Sequence, residues 1–86
     1  MNNVFTRKEL SKKLGLSLSV ICNLWGRYDF DKDTSISRSP IIRNEKNRKL
    51  LLDGLENCLR NSHYCELFLS RFKHAVNILK REHWDD

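Results

Sequence analysis

The spacing of apolar residues between Thr6 and Tyr28 constrains the fold of this 86-residue chain more than any other feature. Ser11 is small where two short helices would cross, and Gly15 can take the left-handed backbone that a tight turn needs. The positions that would close the two helices on each other are Leu10, Leu14, Leu16, Ile21 and Leu24. The segment therefore predicts a pair of helices joined by a turn.

Capping residues indicate where these two helices begin and end. Thr6 and Glu9 have the spacing of a capping box, so the first helix should begin directly after Thr6. Either Ser17 or Ser19 can cap the second helix. Gly26 is the expected stop of that helix, just after Trp25.

The segment from residue 29 to residue 44 lacks helical periodicity and contains the only proline of the chain. Ile36 and the Ile41–Ile42 pair flank Ser39–Pro40. This pattern leaves two structures open, a small β-hairpin with the proline at an edge or turn, or an irregular loop.

Helical periodicity returns in the C-terminal half. One helix should begin at Asn44 or Asn47 and end near Arg60, and a last helix should run from about His63 to Glu82. The predicted fold class is mostly α: a helical pair, a candidate hairpin, and two C-terminal helices.

The last predicted helix has an apolar face wider than one neighbouring helix usually covers. We therefore predict that it forms a dimer contact through Phe68, Phe72, Val76 and Leu79. The predicted organisation is a domain over residues 1–60 and a C-terminal dimerisation element over residues 61–86.

Positive charge is concentrated in the N-terminal half. Residues 1–49 hold 11 Lys/Arg and 5 Asp/Glu, a net charge of +6, whereas residues 50–86 hold 5 and 6, a net charge of −1. A polyanion that faces the helical pair is the simplest partner for this distribution.

Residues 6–28 resemble the helix-turn-helix of bacterial and phage DNA-binding proteins of the Cro, repressor and excisionase kind. The likeness rests on the small crossing residue, the turn and the buried face of the second helix: Ser11, Gly15, Leu16, Ile21 and Leu24. It implies that the second helix enters the major groove of double-stranded DNA. A hairpin and a further helix after such a motif are similar to winged proteins of the MerR and excisionase groups, which implies a wing over residues 35–43.

The resemblance also implies which side chains contact DNA. The implied base contacts are Ser17, Leu18, Ser19, Cys22 and Asn23, of which Asn23 could pair with an adenine. The implied phosphate contacts are Arg7, Lys8, Lys12, Lys13, Arg27, Arg38 and Arg43, the last two from the wing. Because the second helix lacks Arg, Lys and Gln in its middle, we expect sparse base readout with a larger share of shape and phosphate contacts.

The predicted function is sequence-selective binding of double-stranded DNA by a transcriptional regulator, such as a repressor of phage, plasmid or bacterial origin. A homodimer would place two copies on two half-sites. One alternative is an excisionase-like factor that bends DNA for recombination. The other is a protein-interaction module, in which the basic, helix-turn-helix-like hairpin docks on an acidic partner and the C-terminal helix docks in an apolar groove.

The acidic residues of the central segment match only the start of a calcium-binding loop. Asp29, Asp31 and Asp33 alternate as at the start of a calcium loop. Thr34 then stands where the loop needs glycine, and Pro40 stands where it needs a bidentate glutamate. A solvated acidic turn is the better interpretation.

Zinc and enzymatic chemistry find as little support. Cys58, His63 and Cys65 lack the spacing of a zinc finger or ribbon, and no catalytic triad or phosphate-cradling glycine loop occurs. We expect no enzyme, no metal, no cofactor and no small-molecule substrate.

The expected location is the cytoplasm. No apolar run approaches the ~18 residues of a membrane helix, and the N-terminus lacks a secretory pattern. The three cysteines are an odd number, which argues against a disulfide framework and favours a reducing compartment.

Overall fold

The computed structural model describes residues 3–60 and 66–84. Those residues contain four α-helices and one two-stranded sheet, in the order β1 (Val4–Phe5), α1 (Arg7–Leu14), α2 (Leu18–Arg27), β2 (Ile41–Ile42), α3 (Glu45–Arg60) and α4 (Glu66–Arg81). The predicted mostly-α fold class is confirmed. None of the described helices combines the length and the apolar character needed to cross a membrane.

The first helix and the turn after it form as predicted. The Glu9 N–H donates to the Thr6 hydroxyl at 3.2 Å and the Thr6 N–H donates to the Glu9 carboxylate at 3.0 Å, which completes the capping box. Gly15 ends α1 with a φ of +68°. The Ser11 hydroxyl donates to the Leu16 carbonyl at 2.5 Å, so this small residue also fixes the turn.

The second helix is capped by Ser17, whose hydroxyl accepts a backbone N–H of the first turn. The predicted stop at Gly26 is wrong, because the helix continues to Arg27. The Tyr28 N–H still donates to the Leu24 carbonyl at 3.2 Å, and the backbone becomes extended only at Tyr28.

A hairpin joins α2 to α3, and we call its residues 31–42 the wing loop. Lys32 pairs with Ile41 in an antiparallel bridge, and the Asp33 N–H donates to the Pro40 carbonyl at 2.9 Å. Of the two structures that the sequence left open, the hairpin is therefore the one that forms. Its tip comprises residues 34–39, and Pro40 lies in the second arm, where it pairs through its carbonyl, which needs no N–H. β2 also pairs with β1, so the second arm lies between β1 and the first arm.

The wing loop is fastened to α3 by a buried amide. Asn44 caps α3, since its side-chain oxygen accepts the Asn47 N–H at 2.9 Å. The Asn47 amide nitrogen donates to the carbonyls of Asp31 and Ile42, at 2.9 and 2.6 Å, and its oxygen accepts the Asp31 N–H at 2.9 Å. Asn47 is fully buried and holds both arms of the wing loop.

All four helices share one core, in which α3 packs along α4 and α1 packs against α2. Gly54 lets α2 approach α3 closely: a Cβ at this position would lie 2.7 Å from Leu24 Cδ2 and 3.0 Å from Tyr28 Cε2. The largest fully buried apolar side chains are Leu10, Leu14, Ile21, Ile41, Leu51, Leu55, Phe72, Leu79 and Trp84.

The apolar face of α4 belongs mainly to this core. Phe72 and Leu79 are fully buried and Val76 is 5% exposed, whereas Phe68 is 39% exposed. The prediction that Phe72, Val76 and Leu79 contact a second copy is wrong, because packing within the chain already buries their side chains. Of the four predicted dimer residues, Phe68 alone lies at the surface.

Part of the predicted C-terminal organisation lies outside the described residues. The predicted helix start at His63 and the zinc candidates His63 and Cys65 lie outside the residues that the structure describes. The division into residues 1–60 and 61–86 stays a prediction, although α4 contacts both α1 and α3.

Candidate nucleic-acid interface

The outer face of α2 is polar and open to solvent. Ile21, Leu24 and Trp25 turn one side of the helix into the core. The residues predicted to contact bases are all exposed: Ser17, Leu18, Ser19, Cys22 and Asn23. This helix therefore presents the whole predicted set on one side, with Ser17 at its N-terminal cap.

A trough separates α2 from the wing loop, and it consists of two adjoining grooves that share Arg7 and Arg38. The first encloses about 200 Å³ and is lined by Thr6, Arg7, Lys8, Leu18, Ser37, Arg38 and Pro40. The second is lined by Arg7, Cys22, Trp25, Gly26, Lys32 and Arg38. The second groove, of about 620 Å³, is wide open to solvent, so we treat the trough as part of an extended surface rather than as an enclosed ligand pocket.

Four cations line this trough: Arg7, Lys8, Lys32 and Arg38. Arg7 is oriented by two contacts. Its guanidinium carbon lies 4.9 Å from the ring centroid of Trp25, and one of its nitrogens donates to the Arg38 carbonyl at 3.4 Å. Arg7 therefore connects the base of the trough to the tip of the wing loop.

Trp25 forms the apolar floor of the second groove. Trp25 is 3% exposed, and its Nε1–H is buried with no hydrogen-bond partner among the described residues. Arg7 covers the ring from the side of the trough. An aromatic floor under cations gives the trough one apolar and one positively charged surface.

The tip of the wing loop has a strained and well-defined backbone. Arg38 and Ser39 have φ values of +68° and +43°, a region that costs a residue other than glycine about 1 kcal/mol or more. The Ser39 N–H donates to the Ile36 carbonyl at 3.1 Å, and the Ser35 N–H donates to the Asp33 carboxylate at 3.1 Å. These bonds preset the position of Arg38 at the trough.

The acidic residues of the wing loop make contacts within the chain. Asp31 pairs with the Lys46 ammonium at 2.9 Å, and hydrogen bonds from Lys46 and Asn44 hold the pKa of Asp31 below its usual value. Asp33 accepts from the Ser35 hydroxyl at 2.5 Å. Residues 3–60 and 66–84 contain no group of three His, Cys, Asp or Glu side chains that could hold a metal ion.

Two predicted phosphate contacts lie away from the trough. Lys13 pairs with the Glu82 carboxylate at 2.7 Å, and the Arg43 guanidinium donates to the His83 carbonyl at 3.4 Å. Both side chains therefore serve to hold the C-terminal segment. We remove Lys13 from the predicted phosphate contacts, because its charge is paired with a carboxylate, and we remove Arg43 because its guanidinium contacts the C-terminal segment and does not line the trough.

The remaining predicted contacts extend the surface on either side of the trough. Lys12 is exposed one helical turn after Lys8, on the same side of α1. Arg27 is exposed at the end of α2 and borders a separate groove with Asn23 and Cys58. The outer face of α2 thus carries Arg27 at the edge opposite the wing loop.

Lys32 lines the trough but is not among the predicted phosphate contacts, because it stands between Asp31 and Asp33 in the sequence. The alternation of side chains along an extended strand could have identified it, because Asp31 and Asp33 then point to one face and Lys32 points to the other. Asp31 contacts α3 through Lys46, whereas Lys32 lines the trough.

Comparisons of this chain with protein-family models, with curated proteins and with solved structures found no match.

Proposed function

We propose that this protein binds double-stranded DNA, with α2 in the major groove and the tip of the wing loop at the adjacent minor groove. A helix fits the width of the major groove, and the outer face of α2 offers hydroxyl, amide and apolar groups to base edges. The chain would act in the cytoplasm as a sequence-selective transcriptional regulator of phage, plasmid or bacterial origin.

The observation that carries this proposal is the cationic trough. When one element occupies the major groove and a second occupies the neighbouring minor groove, one sugar–phosphate strand must pass between them. The space between α2 and the wing loop is lined by Arg7, Lys8, Lys32 and Arg38. Positive side chains therefore stand where this strand would run, and each phosphate contact would release counterions.

Base selectivity would come mainly from two edges of α2. Leu18 and Cys22 lie beside the trough, where an apolar contact with a thymine methyl group is possible. Asn23 lies toward the opposite edge, where its amide could bind the N6 and N7 atoms of an adenine. This small set predicts modest selectivity supplemented by DNA shape.

Selection from a random double-stranded DNA library tests the proposal. We expect an enriched sequence, and Asn23→Ala should cost about 1–3 kcal/mol on that sequence with little effect on unselected DNA. Arg38→Ala should weaken binding to all sequences alike. Lys73→Ala, an exposed charge change on α4, is the matched control and should bind as the wild type does.

Failure to bind any duplex at low salt would contradict the proposal and would favour a protein-interaction module. The pattern of enriched sites separates two kinds of DNA-binding protein. An inverted repeat indicates a dimeric regulator, and direct repeats indicate an excisionase-like architectural factor. The burial of Phe72, Val76 and Leu79 favours the second, because a protein that binds tandem sites needs no dimer contact through α4.

A further inference from the structure

Ile36 is an apolar side chain at the tip of a polar, positively charged loop. It is 43% exposed and lies between Ser35 and Ser37. Two backbone hydrogen bonds close the tip around it: the Ile36 N–H donates to the Asp33 carbonyl at 3.3 Å, and the Ser39 N–H donates to the Ile36 carbonyl at 3.1 Å. A large apolar group thus stands on a turn that is closed by its own backbone hydrogen bonds.

The position of the tip relates Ile36 to the trough. Ser37 and Arg38, the next two residues, line the trough together with Leu18 of α2. If a DNA strand runs along the trough, the residues of the tip meet the minor groove that this strand borders. Ile36 itself lines neither groove; as the neighbour of Ser37 at the same exposed tip, it would reach the base pairs with them.

The chemistry of the minor groove leaves few places for an isoleucine. Its floor offers mainly hydrogen-bond acceptors, with which a hydrocarbon side chain makes no favourable contact. Space between two partly unstacked base pairs is apolar, and isoleucine occurs among the side chains that are inserted there. β-Branching also makes the side chain stiff at χ1, so little rotamer entropy is lost on insertion.

On the basis of the proposed DNA binding, we infer that Ile36 inserts between two base pairs and kinks the duplex. Pyrimidine–purine steps such as TA are the expected sites, because they unstack and kink most easily. The cations around the tip complement this role, since Arg7 and Arg38 would hold the flanking phosphates while the duplex bends. The protein would then read deformability at a step where it makes no base-specific hydrogen bond.

A bending measurement on defined duplexes tests this inference. The probes are duplexes of about 30 base pairs, roughly three helical turns, with a donor and an acceptor dye at the ends and TA steps in the central turn. Wild-type protein should bend them by about 20–90°. Ile36→Ser should bind with an affinity loss of no more than about tenfold and without the bend, because insertion and unstacking largely offset each other.

Two further variants make the result specific. Ile36→Leu keeps an apolar side chain and should retain the bend. Leu67→Ser removes an exposed apolar side chain of α4 that does not line the trough, and it should behave as the wild type does. Thermal unfolding of each variant checks that the fold is intact. A fluorescent adenine analogue at the TA step should brighten on binding of the wild type and stay dim with Ile36→Ser.

The outcomes separate this inference from the function on which it rests. Binding without a bend, or an Ile36→Ser complex as bent as that of the wild type, would contradict the insertion of Ile36 and leave the proposed DNA binding intact. In that case a protein partner becomes the better candidate for covering Ile36. Absence of binding to every duplex overturns both.

Discussion

Gly15 and Gly26 show how differently one residue type can act in the same helical pair. Gly15 has a φ of +68°, whereas Gly26 lies inside α2 with nothing within 4 Å of an added Cβ. Gly15→Ala should lower the free energy of unfolding by about 1–2 kcal/mol, because the left-handed backbone is costly for alanine. Gly26→Ala should raise it by about 0.5–1 kcal/mol, since alanine is the better helix former.

Urea unfolding followed by far-ultraviolet circular dichroism measures both changes. The two variants serve as each other's control, because each adds one methyl group to the same pair of helices, at the end of α1 or within α2. Equal effects of the two substitutions would contradict the assigned backbone conformations. Gly26→Ala also places a methyl group beside the trough, so its DNA affinity reports on how closely the duplex approaches α2.

Asn47 is the residue on which the base of the wing loop depends. Its amide nitrogen donates to two carbonyls, so Asn47→Asp removes both donors and buries a carboxyl group beside those carbonyls. We expect a loss of about 2–4 kcal/mol in the free energy of unfolding. Asn77→Asp, an exposed change on α4, is the control and should alter stability little. Equal stabilities of the two variants in urea unfolding would show that Asn47 does not hold the wing loop.

Residue-level prediction succeeded where the determinant was local. The capping box, the left-handed glycine and the Ser17 cap each depend on neighbours within four residues, and the structure contains all of them. Asn47 was missed as the fastening of the wing loop because its partners at Asp31 lie 16 residues away. Nothing in the sequence around Asn47 distinguishes that role from a helix cap.

At the scale of elements, a cluster of charged groups joins α3 to α4 and to the C-terminal segment. The Glu45 carboxylate accepts from the Arg48 guanidinium at 2.6 and 2.8 Å and from the Trp84 N–H at 2.7 Å. Arg48 also donates to the Leu79 carbonyl at 2.8 Å. Trp84 is fully buried and packs against Phe5 of β1, so this cluster closes the core at the end of the chain.

These contacts make stability depend on pH. The Arg48 hydrogen bonds, with the Trp84 N–H, lower the pKa of Glu45 from its usual 4.5 to about 2. A carboxyl group whose pKa is lower in the folded state stabilises the fold fully above its unfolded pKa and loses this contribution as pH falls. The contribution of Glu45 should therefore disappear between about pH 5 and pH 2.

Glu45→Gln tests that assignment. The melting temperature of the variant should lie below that of the wild type at pH 7, and the two curves should converge as pH falls toward 2. Asp53→Asn, an exposed carboxylate change on the same helix, is the control. A constant difference between wild type and Glu45→Gln across this range would contradict the role given to the carboxylate.

Element boundaries were predictable where periodicity and caps agreed, and less so where pairing was remote. The sequence indicated α1, α2 and α3 closely, but the arms of the wing loop pair through Lys32 and Ile41, nine positions apart. The width of the apolar face of α4 was read as a second surface. In the structure, Phe72, Val76 and Leu79 are covered within the chain, so one three-dimensional core accounts for a face that looked too wide for one neighbour.

At the scale of the whole molecule, the sequence located the positive half of the chain but not the subset of cations that converge. The salt dependence of DNA affinity distinguishes the cations that line the trough from the other cations of the positive half. Lys32→Ala and Arg38→Ala should each reduce the slope of log affinity against log salt by about 0.9, because each removes one phosphate contact from the trough. Lys13→Ala removes the same charge but should leave the slope unchanged, since Lys13 pairs with Glu82.

Fluorescence anisotropy with one duplex over a range of salt concentrations measures these slopes. The Lys13 variant is the critical comparison, because the helix-turn-helix resemblance and the structure disagree about its role. A smaller slope for Lys13→Ala than for the wild type would show that Lys13 also contacts a phosphate, as the resemblance implies. Unchanged slopes for Lys32→Ala and Arg38→Ala would show that the DNA strand does not run along the trough.

The burial of the apolar face of α4 also predicts the oligomeric state of the protein in the absence of DNA. Phe72, Val76 and Leu79 contribute to the core of one chain, so we expect sedimentation velocity to show a monomer of 10.3 kDa in the absence of DNA. Phe68→Ser should not change this state. A wild-type species of twice that mass, converted to the monomer by Phe68→Ser, would instead show that the surface end of α4 joins two copies. Because a stable dimer places two copies on inverted half-sites, a monomer favours single or directly repeated sites in the selected DNA.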